Sequence, residues 1–218
     1  MDRAERQFFE DIQLLLAKSK RLVSSQNDTR QGFQTVCGVD AAYSRDNRVI
    51  AVASSFDTEK GELLEQSEYE GTATFPYVSG LFFLREGPFV CEAVSSLKVR
   101  PDLVCFDAHG LAHPRNLGLA TICGMVLRIR SIGVAKSKLV GELQSYKPEM
   151  KKLVNDNGEV MGFVSLGVNK GKHYWSPGNS ISTGQLESII TDYGSMCLKS
   201  IAESHLRAKR TLHSRGSL

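Results

Sequence analysis

No run of about 18 or more apolar residues occurs in these 218 residues, so no transmembrane helix is expected. No CxxC pair occurs either. The cysteines stand at 37, 91, 105, 123 and 197, an odd count set mostly within apolar patterns. That distribution speaks against a zinc site or a disulfide framework, and for reduced thiols in a cytoplasmic protein. The opening MDRAERQFFEDIQ is too charged for a signal peptide. Internal repeats and low-complexity tracts are missing, which leaves one domain over 1–218. Strong charge bias is missing as well, the formal net charge being +3. That charge is unevenly placed, however. From residue 199 onward Lys199, Arg207, Lys209, Arg210 and Arg215 face only Glu203, a local balance of +4. Such an end suits a polyanion, but reads more simply as a solvated terminal helix that frays from about 208.

What is present is an alternation of elements. Residues 2–24 carry Phe8, Phe9, Ile12, Leu15 and Leu16 at the helical period, with Asp2 as a cap. Residues 25–33 read as polar loop. Segments 34–43, 48–56 and 62–70 are strand-like and are joined by SRDN and DTEKG, which predicts an antiparallel meander. TFPYVSG at 74–80 is a loop, and 81–97 a helix interrupted at Gly87 and Pro88, where the proline begins a new turn. A strand at 102–107 follows, then a helix over 116–129 capped by Asn116, then a short buried parallel strand at 131–135. A basic loop starts at 136. Residues 159–168 form another strand, paired with 172–175. Ser182 caps a helix to about Tyr193, and a last helix covers 197–210. This order predicts an α/β fold: a mixed central sheet, three antiparallel strands and then parallel ones, with helices on both faces.

Three acids stand where ordinary folding chemistry does not ask for them. Asp40 interrupts the apolar strand VCGVDAAY, and a buried carboxylate is costly without a cation or hydrogen bonds. Asp107 ends the apolar run at 103–106, and ligands of open α/β sheets bind at that edge. Neighbouring strands thus present both acids at one end of the sheet. Glu86, 46 residues after Asp40 and 21 before Asp107, starts a helix beside the same edge. His109, His113 and Arg115 add polar groups nearby. Taken singly, each acid reads as a cap or a surface charge. Together they form an oxygen-rich set that suits magnesium or manganese, and the chemistry such sets serve is phosphoryl transfer.

GVDAAY around Asp40, TFPYVSGLFFLREGP around Glu86, DAHGLAHPRNLGLA around Asp107, IGVAKSKL around Lys136 and the later SPGNSIS resemble the endonuclease V family in order and spacing. These are nucleases that recognise inosine, and the likeness runs from about residue 36 to 183. The resemblance implies a ribonuclease H-like fold. It also implies magnesium-dependent hydrolysis of the second phosphodiester bond 3′ to inosine, with manganese able to substitute, in the service of DNA repair. By motif, Asp40, Glu86 and Asp107 are the metal-binding acids. Lys136 and His113 match positions near the reacting phosphate, with His113 alternatively holding the loop after Asp107. Tyr77, next to Pro76, belongs to a wedge that fills the gap left by a displaced base, while Ala108, Gly110, Arg115 and Gly118 lie on the substrate side. A fourth metal-facing residue is expected on the last helix; Glu203 fits by alignment and His205 is close.

The chain departs from the family pattern at Ala108 and Ser79, which replace a glycine and a proline, at Asn179, which replaces a histidine, and at His109, where Gln or Asn is common. These departures bear on substrate range more than on metal chemistry. The implied partner is inosine-containing nucleic acid, DNA or RNA, with no membrane and no obligate protein partner, hence a monomer. The alternatives are an inosine-binding module with weak catalysis, and a ribonuclease H-like nuclease acting on mismatched, branched or RNA substrates.

Overall fold

The computed structural model describes residues 1–23, 32–166 and 171–215; most of the expected 25–33 loop lies outside them. Helix α1 (Arg3–Val23) precedes the meander β1 (Thr35–Tyr43), β2 (Arg48–Asp57) and β3 (Leu63–Thr72). Next come α2 (Phe82–Ser95), β4 (Leu103–Phe106), α3 (Leu119–Leu127) and β5 (Ser131–Ala135). Four further strands follow, β6 (Glu142–Lys147), β7 (Met150–Val154), β8 (Val160–Leu166) and β9 (Lys172–Pro177), and then α4 (Thr183–Ser214). All nine strands make one sheet in the order β3-β2-β1-β4-β5-β9-β8-β7-β6. Strands β1, β4 and β5 run parallel, and the rest pair antiparallel. This is the expected α/β arrangement, one mixed sheet of antiparallel and parallel strands with helices on both faces.

Alternation along β4 explains the two layers. Val104 and Phe106 pack with Val90, Ala93 and Val94 of α2 and with Leu119, Ala120 and Cys123 of α3. Leu103 and Cys105 turn to the other face and join Trp175, Leu186, Ile189, Cys197 and Ile201 beneath α4. A strand buried on both faces needs an unbroken apolar run, which LVCF supplies. Each such side chain contributes about 1.5–3 kcal/mol by burial. Helix α4 crosses β1 at Gly38, where an added Cβ would lie 2.2 Å from the backbone N of Ile201. Among the described residues no helix is long and apolar enough to cross a membrane. All five cysteines are free thiols.

Several elements differ from expectation. Strands β6 and β7 occupy what reads as loop, because β6 is exposed along its whole length and carries no apolar alternation. The two C-terminal helices are one helix of 32 residues, capped as expected by Ser182 with Gln185. The end expected to fray from about 208 is helical through Ser214. Ala208 is fully buried against Ile50 and Val52, and Arg207 and Arg215 pair with Glu68 and Glu70. Pro88 lies inside α2 rather than starting a new turn. Helix α3 is capped by Gly118, because Asn116 takes a positive φ of 52°. Asp2 does cap α1, in a reciprocal pair with Glu5. The expected apolar face of α1 is not buried, however: Phe8 and Leu15 are 62% and 63% exposed. Among the described side chains of α1 the fully buried one is Gln13, which donates to Leu117 O and accepts from Arg115 Nε.

Candidate active site

Parity along β1 sorts its residues between the two helical layers. Val39 and Ala41 pack toward α2, so Tyr43 points the same way; Gly38 lies under α4, so Asp40 points to that side. In the parallel pair Val39 lies opposite Phe106, and the Asp107 N–H donates to Val39 O at 3.3 Å. One step further along both strands sets Asp40 beside Asp107. Helix α2 delivers Glu86, 5% exposed, from one face of the sheet. Helix α4 delivers His205 from the other, its Nδ1 hydrogen-bonded to Asp40 Oδ2 at 2.6 Å. The expected acids therefore converge on one end of the sheet.

Their charges act on one another. Burial pushes the Asp40 carboxyl up, and the Asp107 charge adds to it; His205 and the Ala41 N–H, 2.8 Å from Oδ1, pull the other way. Burial pushes Glu86 up to about 8, with Asp40 as the next cause, against the Tyr43 hydroxyl, which donates to Oε2 at 3.0 Å. Lys136 Nζ sits 2.5 Å from Asp107 Oδ2. Burial works against the lysine charge, but the hydrogen bond and charge of Asp107 outweigh it and raise its pKa. Among the described residues, no three His, Cys, Asp or Glu side chains form a ready-made metal cage. The site is instead a cluster of mutually repelling carboxylates, each held by at least one polar neighbour. An excess of hard oxygen donors of this kind fits a hard divalent cation.

A cavity of about 270 Å³ opens beside Asp107 and Lys136. Tyr77, Gly80, Ala108 and His109 help to line it. Tyr77 is 70% exposed and meets Phe82 edge to face, and Pro76 is exposed next to it. Ala108 is buried and is among the residues that line the cavity. Three expected site residues, Glu203, Arg115 and Gly110, take other places, and a fourth, His113, stays at the cavity with its ring held by backbone. Glu203 accepts from Gln66 on β3 and is not at Asp40; His205 is, because it lies one turn from Ile201 on the stripe that faces β1. His113 lines the cavity, but both ring nitrogens bond backbone: Nε2 donates to Gly80 O at 3.0 Å, and Nδ1 accepts from the Arg115 N–H at 3.2 Å. Arg115 is committed to Gly80 O, Gln13 and Glu10. Gly110 serves packing, since a Cβ there would lie 2.1 Å from Pro177 O. Gly118 does reach the cavity.

Sequence reasoning missed Tyr43 and Gln13. For Tyr43 a signal existed: it shares a strand face with Ala41 and follows Asp40 by three. Gln13 stands beside Ile12 in an apolar helix pattern, and nothing local marks it as the residue that docks.

The family model for endonuclease V matches residues 17–197. The chain belongs to the endonuclease V family. Endonuclease V of Saccharolobus islandicus is 36% identical over 175 residues, covering 80% of this chain and 81% of that protein. The endonuclease V of Thermus thermophilus is 36% identical over 176 residues, covering 78% and 76%. Among solved structures, the endonuclease V of Ciona intestinalis superposes with a TM-score of 0.84 over 98% of this chain and 99% of that one, at 18% identity. That protein was solved with a 24mer DNA containing an inosine followed by a ribo-adenosine. Members of the endonuclease V family are nucleases.

Proposed function

We propose that this chain is a metal-dependent endonuclease that recognises inosine in nucleic acid and hydrolyses the second phosphodiester bond on its 3′ side, as a repair enzyme. The observation that carries this reading is the meeting of Asp40, Glu86 and Asp107, from β1, α2 and β4, beside a cavity mouth at which Tyr77 stands exposed. The relative from Ciona intestinalis, solved on a DNA that contains inosine, supports the substrate class. Magnesium, or manganese in its place, would be held by Asp40, Asp107 and Glu86, with His205 orienting Asp40. When bound, it would activate water and stabilise charge on the scissile phosphate.

The chain's own residues do the rest. The cavity is below the roughly 300 Å³ at which ligand pockets usually begin, a size that suits one flipped base. Weakened pairing at a deaminated base lowers the cost of extrusion. Tyr77 offers an aromatic face to the gap left behind. Lys136 supplies a positive charge where the phosphate becomes more negative. His113 and Arg115 keep the Gly80 carbonyl, and so the wedge loop, in place.

The test is cleavage of DNA and RNA oligonucleotides carrying a single inosine, in magnesium, with the cut mapped. One cut, two bonds 3′ of inosine, is expected, with an adenine control left intact. Resistance of both inosine strands would refute the reading. Asp107→Ala is expected to abolish cutting and keep inosine-strand binding; a variant that still cuts would move the site elsewhere.

A further inference from the structure

Tyr43 has no part in the metal chemistry above, yet it is the one described side chain that hydrogen-bonds Glu86, its O–H donating to Oε2 at 3.0 Å. We propose that Tyr43 is a positioning residue that holds the Glu86 carboxylate ready for the metal, and that its hydroxyl, rather than its ring, does so. The inference rests on the metal-site reading of Asp40, Glu86 and Asp107.

The donor suits that task. Lysine or arginine in its place would pair with the carboxylate and compete with a cation for it. A neutral hydroxyl selects one orientation of the carboxylate and leaves its charge available. The ring that carries the hydroxyl is itself fixed. The Arg85 guanidinium lies over its face, 4.8 Å from the centroid. Arg85 donates to Phe75 O at 2.5 Å and to Asn47 Oδ1 at 2.9 Å. Asn47 stands in the β1–β2 turn with a positive φ of 65°, and its carbonyl accepts from Ala73 N at 2.9 Å. The phenol is thus held between the β1–β2 turn, the loop that carries Tyr77, and α2. The same arginine that steadies the ring also holds the backbone of that loop, so the wedge and Glu86 share one support.

The experiment compares the full chain with Tyr43→Phe, which keeps the ring and deletes the donor. Manganese binding is read from loss of the free-ion electron paramagnetic resonance signal, and magnesium requirement from cleavage of an inosine strand. Manganese binding should weaken, and the half-saturating magnesium concentration rise, by about tenfold, the worth of one hydrogen bond to a charged group. The maximal rate should return at saturating magnesium. Tyr69→Phe, the same chemical change on β3, should move neither metal titration. Unshifted titrations in Tyr43→Phe overturn the proposal, as does a lower melting temperature with metal binding unchanged, which would make Tyr43 a packing residue. Should the unmodified chain bind manganese and cut no inosine strand, the functional reading fails while the manganese arm still decides the role of Tyr43. Should it bind no manganese, both fall.

Discussion

His113 shows how a residue's surroundings settle its role. One ring nitrogen donates to Gly80 O and the other accepts from the Arg115 N–H, so the ring is neutral as it stands. Burial, and then the Arg115 charge, push its pKa down to about 4. In the unfolded chain it titrates near 6.5. Between those values the unfolded state binds the extra proton. The stability His113 contributes is therefore complete above about pH 6.5 and is lost as pH falls toward 4. Comparing His113→Gln with the unmodified chain by urea unfolding across pH should show a stability gap that is wide at pH 7 and narrows by roughly 3 kcal/mol by pH 4. A gap that does not change with pH would mean that the ring is solvated. The motif HPR named this residue and left two places for it, near the phosphate or holding the loop after Asp107; its partners add that the backbone it holds includes Gly80.

At the scale of elements, the layout depends on α4 lying almost in contact with β1. Ser204 Oγ donates to Gly38 O at 2.9 Å, and the absent side chain of Gly38 lets the two backbones meet. Gly38→Ala would place a methyl group 2.2 Å from the backbone at residues 200 and 201, where nothing flexible can yield. The expected cost is at least about 3 kcal/mol, the upper end for overpacked cores, read as a lower urea midpoint. An unchanged midpoint would mean that α4 can slide. Most elements were legible from period and punctuation: the meander, the parallel pair and the Ser182 cap. The 32-residue helix was read as two because the GSM stretch at 194–196 lacks helical hydrophobicity. Strand β6 escaped because it is exposed along its whole length, and its side-chain contacts, Tyr146 and Lys147 to Glu187 of α4, leave no apolar alternation in the sequence.

Across the whole molecule, the C-terminal positive charge is partly neutralised by the sheet it packs on. Arg207 pairs with Glu68, and Arg215 with Glu68 and Glu70, on β3. These exposed pairs contribute at most about 1 kcal/mol each. Removing Arg207 and Arg215 together should leave the salt dependence of nucleic-acid binding as it was. Lys136→Met should reduce the slope of log affinity against log salt by about one. A large change in the first variant would assign the helix end to the binding surface.

The amino-acid sequence alone determined the family: carboxylates in an apolar strand, at a strand end and in a helix are written as residue types, and the ordered motifs around them identify endonuclease V. It also determined much of the central core, where strands such as LVCF are apolar throughout, but not the face of α1, whose period is apolar and whose Phe8 and Leu15 are exposed. Tertiary structure alone decided which polar groups meet those acids. Whether Glu203 or His205 reaches Asp40 turns on the phase of one long helix across a sheet. That phase is set by where Gly38 lets α4 come close, and it depends on contacts between residues more than 160 positions apart.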